Sequence, residues 1–476
     1  MAAPSRQTIV PLIVACALFM QNVDSTVIAV AIPSMAAALK EDPLRLNLAI
    51  TSYLLSLAIF IPLSGWTADR FGARTVFRAA ILVFTLGSIC CGLSFTLPQL
   101  VVARIVQGMG GAMMVPVGRL VMLRLVPKSE LVRAMSFLAV PALIGPVLGP
   151  PLGGLIVTYA SWRWIFFINV PFGILGVLLV NRFIENIREE ATPPLDLRGF
   201  LLASGGLAAA MFGFETAGRG MVPPWAAASL VAGGAALLAV YVIHARATPS
   251  PIIDLGLMRI PTFSASVLGS GIFRIGIDGL PFLMPLLLQL GFGLSPFQSG
   301  LLTFATYAGA MTMKASAPRI LHALGFRQAL IGNAAICGLF MAGYGLFRPS
   351  TPSLVILATL LAGGFFRSLQ VTATNSLVFA DVPPALMSRA TSFASMAQQL
   401  WMTLGVGASA LLLRLVNLLH GGGALATADF APVFFLDGCL AAAALLVFVH
   451  MAPDAGAELS GRRAAPVASP RRPPAE

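Results

Sequence analysis

Apolar runs of about twenty residues, separated by short polar connectors, recur along the whole chain. A membrane-spanning helix needs about 20 apolar residues. Fourteen segments meet that length: 8–32, 48–67, 79–97, 99–123, 134–158, 164–183, 198–216, 223–244, 262–288, 298–317, 328–347, 352–378, 388–416 and 432–451. They leave only connectors and tails, with no room for a sizeable soluble domain. The stretch Ile9 to Met20 has the length of a signal-peptide core. Gln21, Asn22 and Asp24 follow it, and apolar residues then resume through Ile32, so it reads as one long helix with a polar break. Residues 452–476, rich in Ala, Pro and Arg, are expected to form a disordered tail that touches anionic lipid.

Composition agrees. Of 476 residues 58% are hydrophobic and only 10% charged, and the mean hydropathy is +0.89. No water-soluble enzyme or nucleic-acid binder hides that much apolar surface. The net charge of +12 belongs to membrane topology instead. With the N-terminus in the cytoplasm, 21 Lys and Arg, Arg119 and Lys314 among them, fall in cytoplasmic segments and five (Lys40, Arg45, Arg163, Arg219 and Arg348) on the other side. Both termini are therefore expected in the cytoplasm. Cys16, Cys90, Cys91, Cys337 and Cys439 all lie in apolar runs without metal-ligand spacing. The four His are isolated and there is no nucleotide-binding loop, so the sequence predicts neither an enzyme, nor a metal site, nor an ATP-driven pump.

Charges inside a membrane are costly and mark function. Asp24 lies in span 1, ~13 Å below the outer surface, and Arg104 in span 4, ~9 Å below it, at ~1.5 Å per residue. They are compatible with one shared cavity, either as a proton carrier with a tuning arginine or as a permanent ion pair. Arg274 and Asp278, four apart in span 9, share a helix face as a coupling site or a self-neutralising pair. Arg367 lies mid-span with Gln370 nearby, facing an anionic group or a structural partner. Glu215 and Asp437 are read as ordinary water-reachable positions near span ends. In span 5, Gly145, Gly149 and Gly153 form a smooth stripe interleaved with Pro146, Pro150 and Pro151. Such a kinked helix with a flat contact face suits a sliding or rocking interface.

These residues resemble the major facilitator superfamily, and within it the 14-helix drug–proton antiporter family of the QacA/EmrB type. Val23-Asp24-Ser25-Thr26-Val27, ending at Ala31-Ile32-Pro33, resembles that family's span-1 motif, with Val23 and Ala29 as departures. Gly65 to Arg74, with Asp69, Arg70 and Gly72, is similar to the loop 2–3 signature, and Ala73 departs from it. Arg104-Ile105-Val106-Gln107-Gly108-Met109-Gly110-Gly111-Ala112 resembles the span-4 motif. The span-5 run is similar to the antiporter motif, and Trp162 to Gly173 to a further family segment. Matches in the second half are looser. Arg319, His322, Gly325 and Arg327 look like a degenerate copy of the loop signature, with His322 where the first copy has Asp69. Such copies suit a duplicated six-helix unit.

The resemblance implies an all-α integral membrane protein of the major facilitator fold with 14 transmembrane helices (6 + 2 + 6). The divisions are a first bundle at 1–183, two linker helices at 184–261, a second bundle at 262–451 and the tail at 452–476. It implies proton-driven efflux of hydrophobic, cationic drug-like compounds across a bacterial inner membrane, with the proton as coupling ion and no cofactor. Asp24, Arg104, Asp278 and Arg274 are the coupling candidates. Gly65, Asp69, Arg70, Gly72, Arg74 and the residues of the span-5 stripe are the gating candidates. By depth, Met20, Asn22, Gln107, Phe273, Phe366, Arg367, Gln370 and Trp401 are the substrate-cavity candidates. The expected partners are a small-molecule substrate and the lipid bilayer, not nucleic acid, and whether a periplasmic adaptor docks is not legible. Two alternatives stand beside this reading: export of one specific metabolite, with Arg367 favouring an anionic cargo, and a non-transporting membrane sensor or structural protein.

Overall fold

The computed structural model describes residues 6–460 except 42, 128–129, 131–133, 135–144, 146–147, 149–151, 158, 187, 189–191, 220–222, 295 and 422–424. Every regular element among the described residues is helical. Helix formation follows from the solvent, since in hydrocarbon each backbone N–H and C=O must be paired within its own segment. In chain order the long helices are α1 (Arg6–Leu39), α2 (Pro43–Phe60), α3 (Ala73–Gly92), α4 (Leu97–Leu125), α5 (Asn169–Phe183), α6 (Leu197–Arg219) and α7 (Pro224–Ala247). They continue with α8 (Pro261–Ile277), α9 (Pro296–Leu324), α10 (Phe326–Tyr344), α11 (Ser353–Leu377), α12 (Met387–Leu419) and α13 (Thr427–Ala443). Eleven helical stretches among the described residues are long and apolar enough to cross a membrane. The predicted fifth span lies largely outside the described residues, although Leu152 to Val157 are helical.

Two segments depart from plain helices, each for a local reason. After α2 the chain tightens into a 3-10 turn at Ile61–Leu63, where Pro62 removes a donor, and resumes as helix over Ser64–Phe71. The charged loop signature is thus mostly helical, and the turn itself is Gly72 (φ 89°), a conformation that costs glycine little. Predicted span 9 is discontinuous. Helix α8 stops at Ile277, Asp278 and Gly279 form the break, and Leu280–Leu286 passes into a π-helical turn at Leu287–Gly291 behind Pro281 and Pro285.

Helices α1 to α5 pack among themselves, as do α8 to α13. Helix α12 crosses between the groups and touches α4, the Ile61–Leu63 turn and the Ser64–Phe71 helix. Helix α6 lies on the seam: Leu207 and Met211 join Ala58 of α2 to Met396 and Leu400 of α12. Ser204 Oγ donates to the Ile59 carbonyl at 2.6 Å. Helix α7 packs along α6 and turns Val240 and Ile243 outward.

Three sequence expectations need correction. Arg119 and Lys314, counted with the cytoplasmic charges, are buried within α4 and α9. Arg119 donates to Gln398 of α12 at 2.9 Å and Lys314 to Thr372 of α11. The charge asymmetry survives without them. The expected disordered tail begins too early: Leu459 is buried, and Gly456 sits against Phe326 and Leu377. Residues 461–476 lie outside the described residues. Asp437 is not water-reachable: it is 1% exposed, and Ser409 Oγ donates to its carboxylate at 2.7 Å. The side chain of Glu215 lies outside the described residues.

Candidate functional site

The span-4 motif Arg104 to Ala112 builds the centre of the first group. Gly108 lets α4 approach the Tyr53 carbonyl and Ser56 of α2, and a Cβ at Gly110 would stand 2.4 Å from the Phe84 nitrogen of α3. This close packing aims Arg104 and Gln107 at α1. Arg104 is fully buried and its Nη1 reaches Asp24 Oδ2 at 2.6 Å. The same nitrogen donates to Gln107 Oε1 at 2.6 Å, and Nε donates to the Ala49 carbonyl at 2.9 Å. The guanidinium carbon lies 4.2 Å from the centre of the Tyr53 ring, a cation–π contact strengthened by exclusion of water. Asp24 Oδ1 accepts from Gln107 Nε2 at 2.8 Å and from Asn169 Nδ2 at 3.2 Å. Both amides also donate to Ser88 Oγ of α3. Helices α1, α2, α3, α4 and α5 thus converge on one buried carboxylate.

The second group repeats the pattern. Helix α11 carries Arg367 and Gln370, three apart like Arg104 and Gln107 on α4. Arg367 Nη2 reaches Asp278 Oδ1 at 2.8 Å, while Arg274 Nη1 holds the other oxygen at 3.0 Å. Gln370 Oε1 accepts from Asn333 Nδ2 of α10 at 2.8 Å, so α10 supports Gln370 as α3 supports Gln107. The break after α8 places Asp278 at the helix end, with its N–H still bonded to the Arg274 carbonyl at 2.8 Å. The anionic group facing Arg367 is therefore Asp278. Sequence reading paired Asp278 with Arg274 alone, though the recurrence of Arg-x-x-Gln at 104–107 and 367–370 was visible. Asn169, Ser88 and Tyr53 were missed because their role depends on five helices meeting.

Two glycines of the span-5 stripe lie directly on α1 beside this network. A Cβ at Gly145 would be 2.6 Å from Asn22 Cβ, and one at Gly153 would be 3.0 Å from Val27 Cγ1. Thr26 Oγ1 donates to the Gly145 carbonyl at 3.2 Å. Pro146, Gly149 and Pro150 lie outside the described residues.

The loop signature joins the groups. Ser388 of α12 donates a short hydrogen bond to Asp69 Oδ2, and Arg124 Nη2 lies 3.4 Å from Asp69 Oδ1. Gly65 packs on the Ser388 carbonyl, and Ser392 Oγ donates to the carbonyls of Ile61 and Pro62. Arg70 is exposed and Arg74 half-buried. Gly325 (φ 76°) opens α10 as Gly72 opens α3, so the backbone of the degenerate copy keeps the turn.

The cavity candidates divide. Trp401 lines a cavity between the groups together with Arg119, Arg274 and Gln398. Met20 and Phe273 are buried in the apolar core. Asn22 Nδ2 bonds the Leu18 carbonyl on α1, and Phe366 stacks on Phe340. Gln107 and Gln370 serve the two buried networks.

A bundle of long apolar helices in two similar groups, with buried charge networks inside each and a cavity between them, defines a multi-pass membrane carrier. The model of the Major Facilitator Superfamily matches residues 14–406, and the chain belongs to that superfamily of transporters. It is 42% identical over 418 residues to the putative multidrug resistance protein MdtD of Salmonella typhi, covering 86% of this chain and 87% of the relative. The Salmonella typhimurium MdtD is equally similar. Among solved structures, the human organic anion transporter MFSD10 (TETRAN) aligns with a TM-score of 0.64 at 17% identity, over 92% of this chain and 100% of that one. The proton:xylose symporter XylE aligns with a TM-score of 0.65 at 16% identity, over 96% and 98%. These two likenesses concern the fold alone.

Proposed function

We propose that this chain is a proton-coupled exporter of small hydrophobic compounds, in which Asp24 carries the coupling proton and Asp278 serves the second half. The observation that carries this reading is the Asp24–Arg104–Gln107–Asn169 network, a carboxylate sealed from lipid yet set on the helix that rides on Gly145 and Gly153. Protonating Asp24 removes the charge that holds Arg104 at 2.6 Å. Helix α1 is then freed to shift along the smooth glycine face, the kind of local charge change that biases a two-state packing. The Asp69–Ser388 contact acts as a latch that holds one face closed until the groups rock apart. Low pH outside favours protonation and cargo release, and cargo binding from inside favours proton loss. The multidrug resistance name of the MdtD relatives supports a drug-like cargo.

The topology we propose has fourteen spans in a 6 + 2 + 6 order. It comprises the eleven strongly apolar stretches, the more polar α9 and α10, and the segment at 134–158, with bundles at 1–183 and 262–451 and linker helices at 184–261. Placing Gly72 and Gly325 in the cytoplasm agrees with the arginines around both turns. Both termini are then cytoplasmic, in a bacterial inner membrane.

The test is proton release from energised everted vesicles on adding a panel of lipophilic compounds, read by a pH-sensitive dye, with wild type beside Asp24→Asn. Release by several compounds that is lost in Asp24→Asn supports the reading. Release that survives the substitution moves the proton to Asp278. Silence with folded, inserted protein favours a single-metabolite exporter or a non-transporting protein.

A further inference from the structure

We propose that the cavity between the two helix groups is a binding site for the carboxylate of an organic anion, so that the cargo's polar end is negative rather than cationic. The proposal rests on the exporter reading for its physiological meaning, but the site is argued from its own donors.

The cavity is lined by Arg119 of α4, Ser266 and Arg274 of α8, Asn375 just before the α11 end, and Gln398 and Trp401 of α12. Its charged groups are two arginines, and no carboxylate lines it. Arg119 is 9% exposed and its Nη2 bonds the amide oxygen of Gln398. Among the described residues no ion pair joins Arg119 to an acid. Arg274 shares Asp278 with Arg367, so one acid faces two guanidinium groups and the second half carries a surplus positive charge. The Asp24 network of the first half sets one arginine against one acid, because Met20 stands four residues before Asp24 where Arg274 stands four before Asp278.

The neutral groups point the same way. Ser266 Oγ and Trp401 Nε1 are both buried without a hydrogen-bond partner. An indole N–H can only donate, and a buried donor left unpaired is destabilising. The indole packs directly on Gly271, where an added Cβ would stand 2.5 Å from Cε2 and 2.7 Å from Nε1, so the ring has little room to turn. Two cations, an indole donor and a hydroxyl around a space without acids match a carboxylate, whose two oxygens accept from a guanidinium fork, and at about 20 Å³ the space takes only the charged end of such a cargo. A lipophilic cation would be buried against two like charges, which acts as a repulsive filter against it.

The test uses the purified full-length chain in detergent, with thermal unfolding followed by calorimetry. The probes are benzoate, 2-naphthoate, octanoate and succinate, each beside its primary amide, and tetraphenylphosphonium. A carboxylate is expected to raise the melting temperature saturably while its amide does not. Arg119→Gln, which breaks no ion pair, is expected to weaken that carboxylate at least tenfold, about 1.4 kcal/mol. Trp401→Phe removes the indole N–H while keeping an aromatic, apolar side chain, and is expected to weaken it in the same direction. If Arg119→Gln does not fold, Arg119→Lys and Trp401→Phe decide. Stabilisation by no carboxylate overturns the proposal, whatever tetraphenylphosphonium does, as does carboxylate binding undiminished in the folded variants. Because binding is read without transport, Asp24→Asn is expected to retain it. Failure of proton coupling and failure of this site are therefore separable.

Discussion

Removing Arg104 tests whether the Asp24 network is a charge-compensated unit. Arg104→Gln deletes the 2.6 Å contact to Asp24, the bond to the Ala49 carbonyl and the stacking on Tyr53. Asp24, 3% exposed, keeps the amides of Gln107 and Asn169 but loses its counter-charge. Breaking one side of a buried pair costs about 3–5 kcal/mol, because the remaining charge is uncompensated. Replacing both partners removes the charge altogether, so Asp24→Asn/Arg104→Gln is expected to recover most of that loss. The assay is reversible unfolding of wild type, both single variants and the double variant in mixed micelles, closed as a double-mutant cycle. Single and double variants equally unstable at neutral pH would refute the reasoning, as would Arg104→Gln as stable as wild type. Either result would assign Arg104 to packing rather than to charge compensation.

Four further outcomes follow from the geometry. Gly145→Val is expected to insert normally but abolish export, because its Cβ meets Asn22 Cβ at 2.6 Å and the Asn22 carbonyl carbon at 3.0 Å; vesicle transport beside membrane quantification checks this. Ser388→Ala removes the hydroxyl bonded to Asp69, and a probe cysteine at Ala397 in the cavity is expected to be alkylated several-fold faster from the cytoplasmic side. Asp437→Asn is expected to change stability by less than about 1 kcal/mol, since Asp437 is held by a serine rather than a cation. Asp278→Asn leaves Arg274 and Arg367 without their shared acid and is expected to cost about 3–5 kcal/mol in the same unfolding assay.

How the two helix groups couple is constrained by which contacts cross between them. Ser388 to Asp69, Ser392 to the Ile61–Pro62 turn and Arg119 to Gln398 all involve α12. The first two are short-range hydrogen bonds at one end, and the third lies beside the cavity. A ligand that engages Arg119 competes with Gln398 for the same guanidinium, and this offers a direct route from cargo binding to the contact between groups. Helix α6 bridges α2 and α12 from outside through Met211 and Leu207, so it contacts both helix groups.

The sequence by itself determined the helices, because in a membrane the length of an apolar run and the pairing of its own backbone decide the element without reference to neighbours. It also placed Asp24 and Arg104 at compatible depths, since depth is counted along one helix. It identified the glycine face of span 5, since a four-residue repeat is a local property. The tertiary structure alone decided partners. Arg119 and Lys314 read as cytoplasmic charges because they lie near polar connectors, and only packing showed them buried. Asp278 read as the partner of Arg274 because i, i+4 contacts are visible in sequence, whereas its bond to Arg367 spans 89 residues. Asn169, Ser88, Ser388 and the orphaned donors of Ser266 and Trp401 carry no local signal. Their chemistry comes from what other helices bring within hydrogen-bond distance, and a linear sequence does not specify that until the chain has packed.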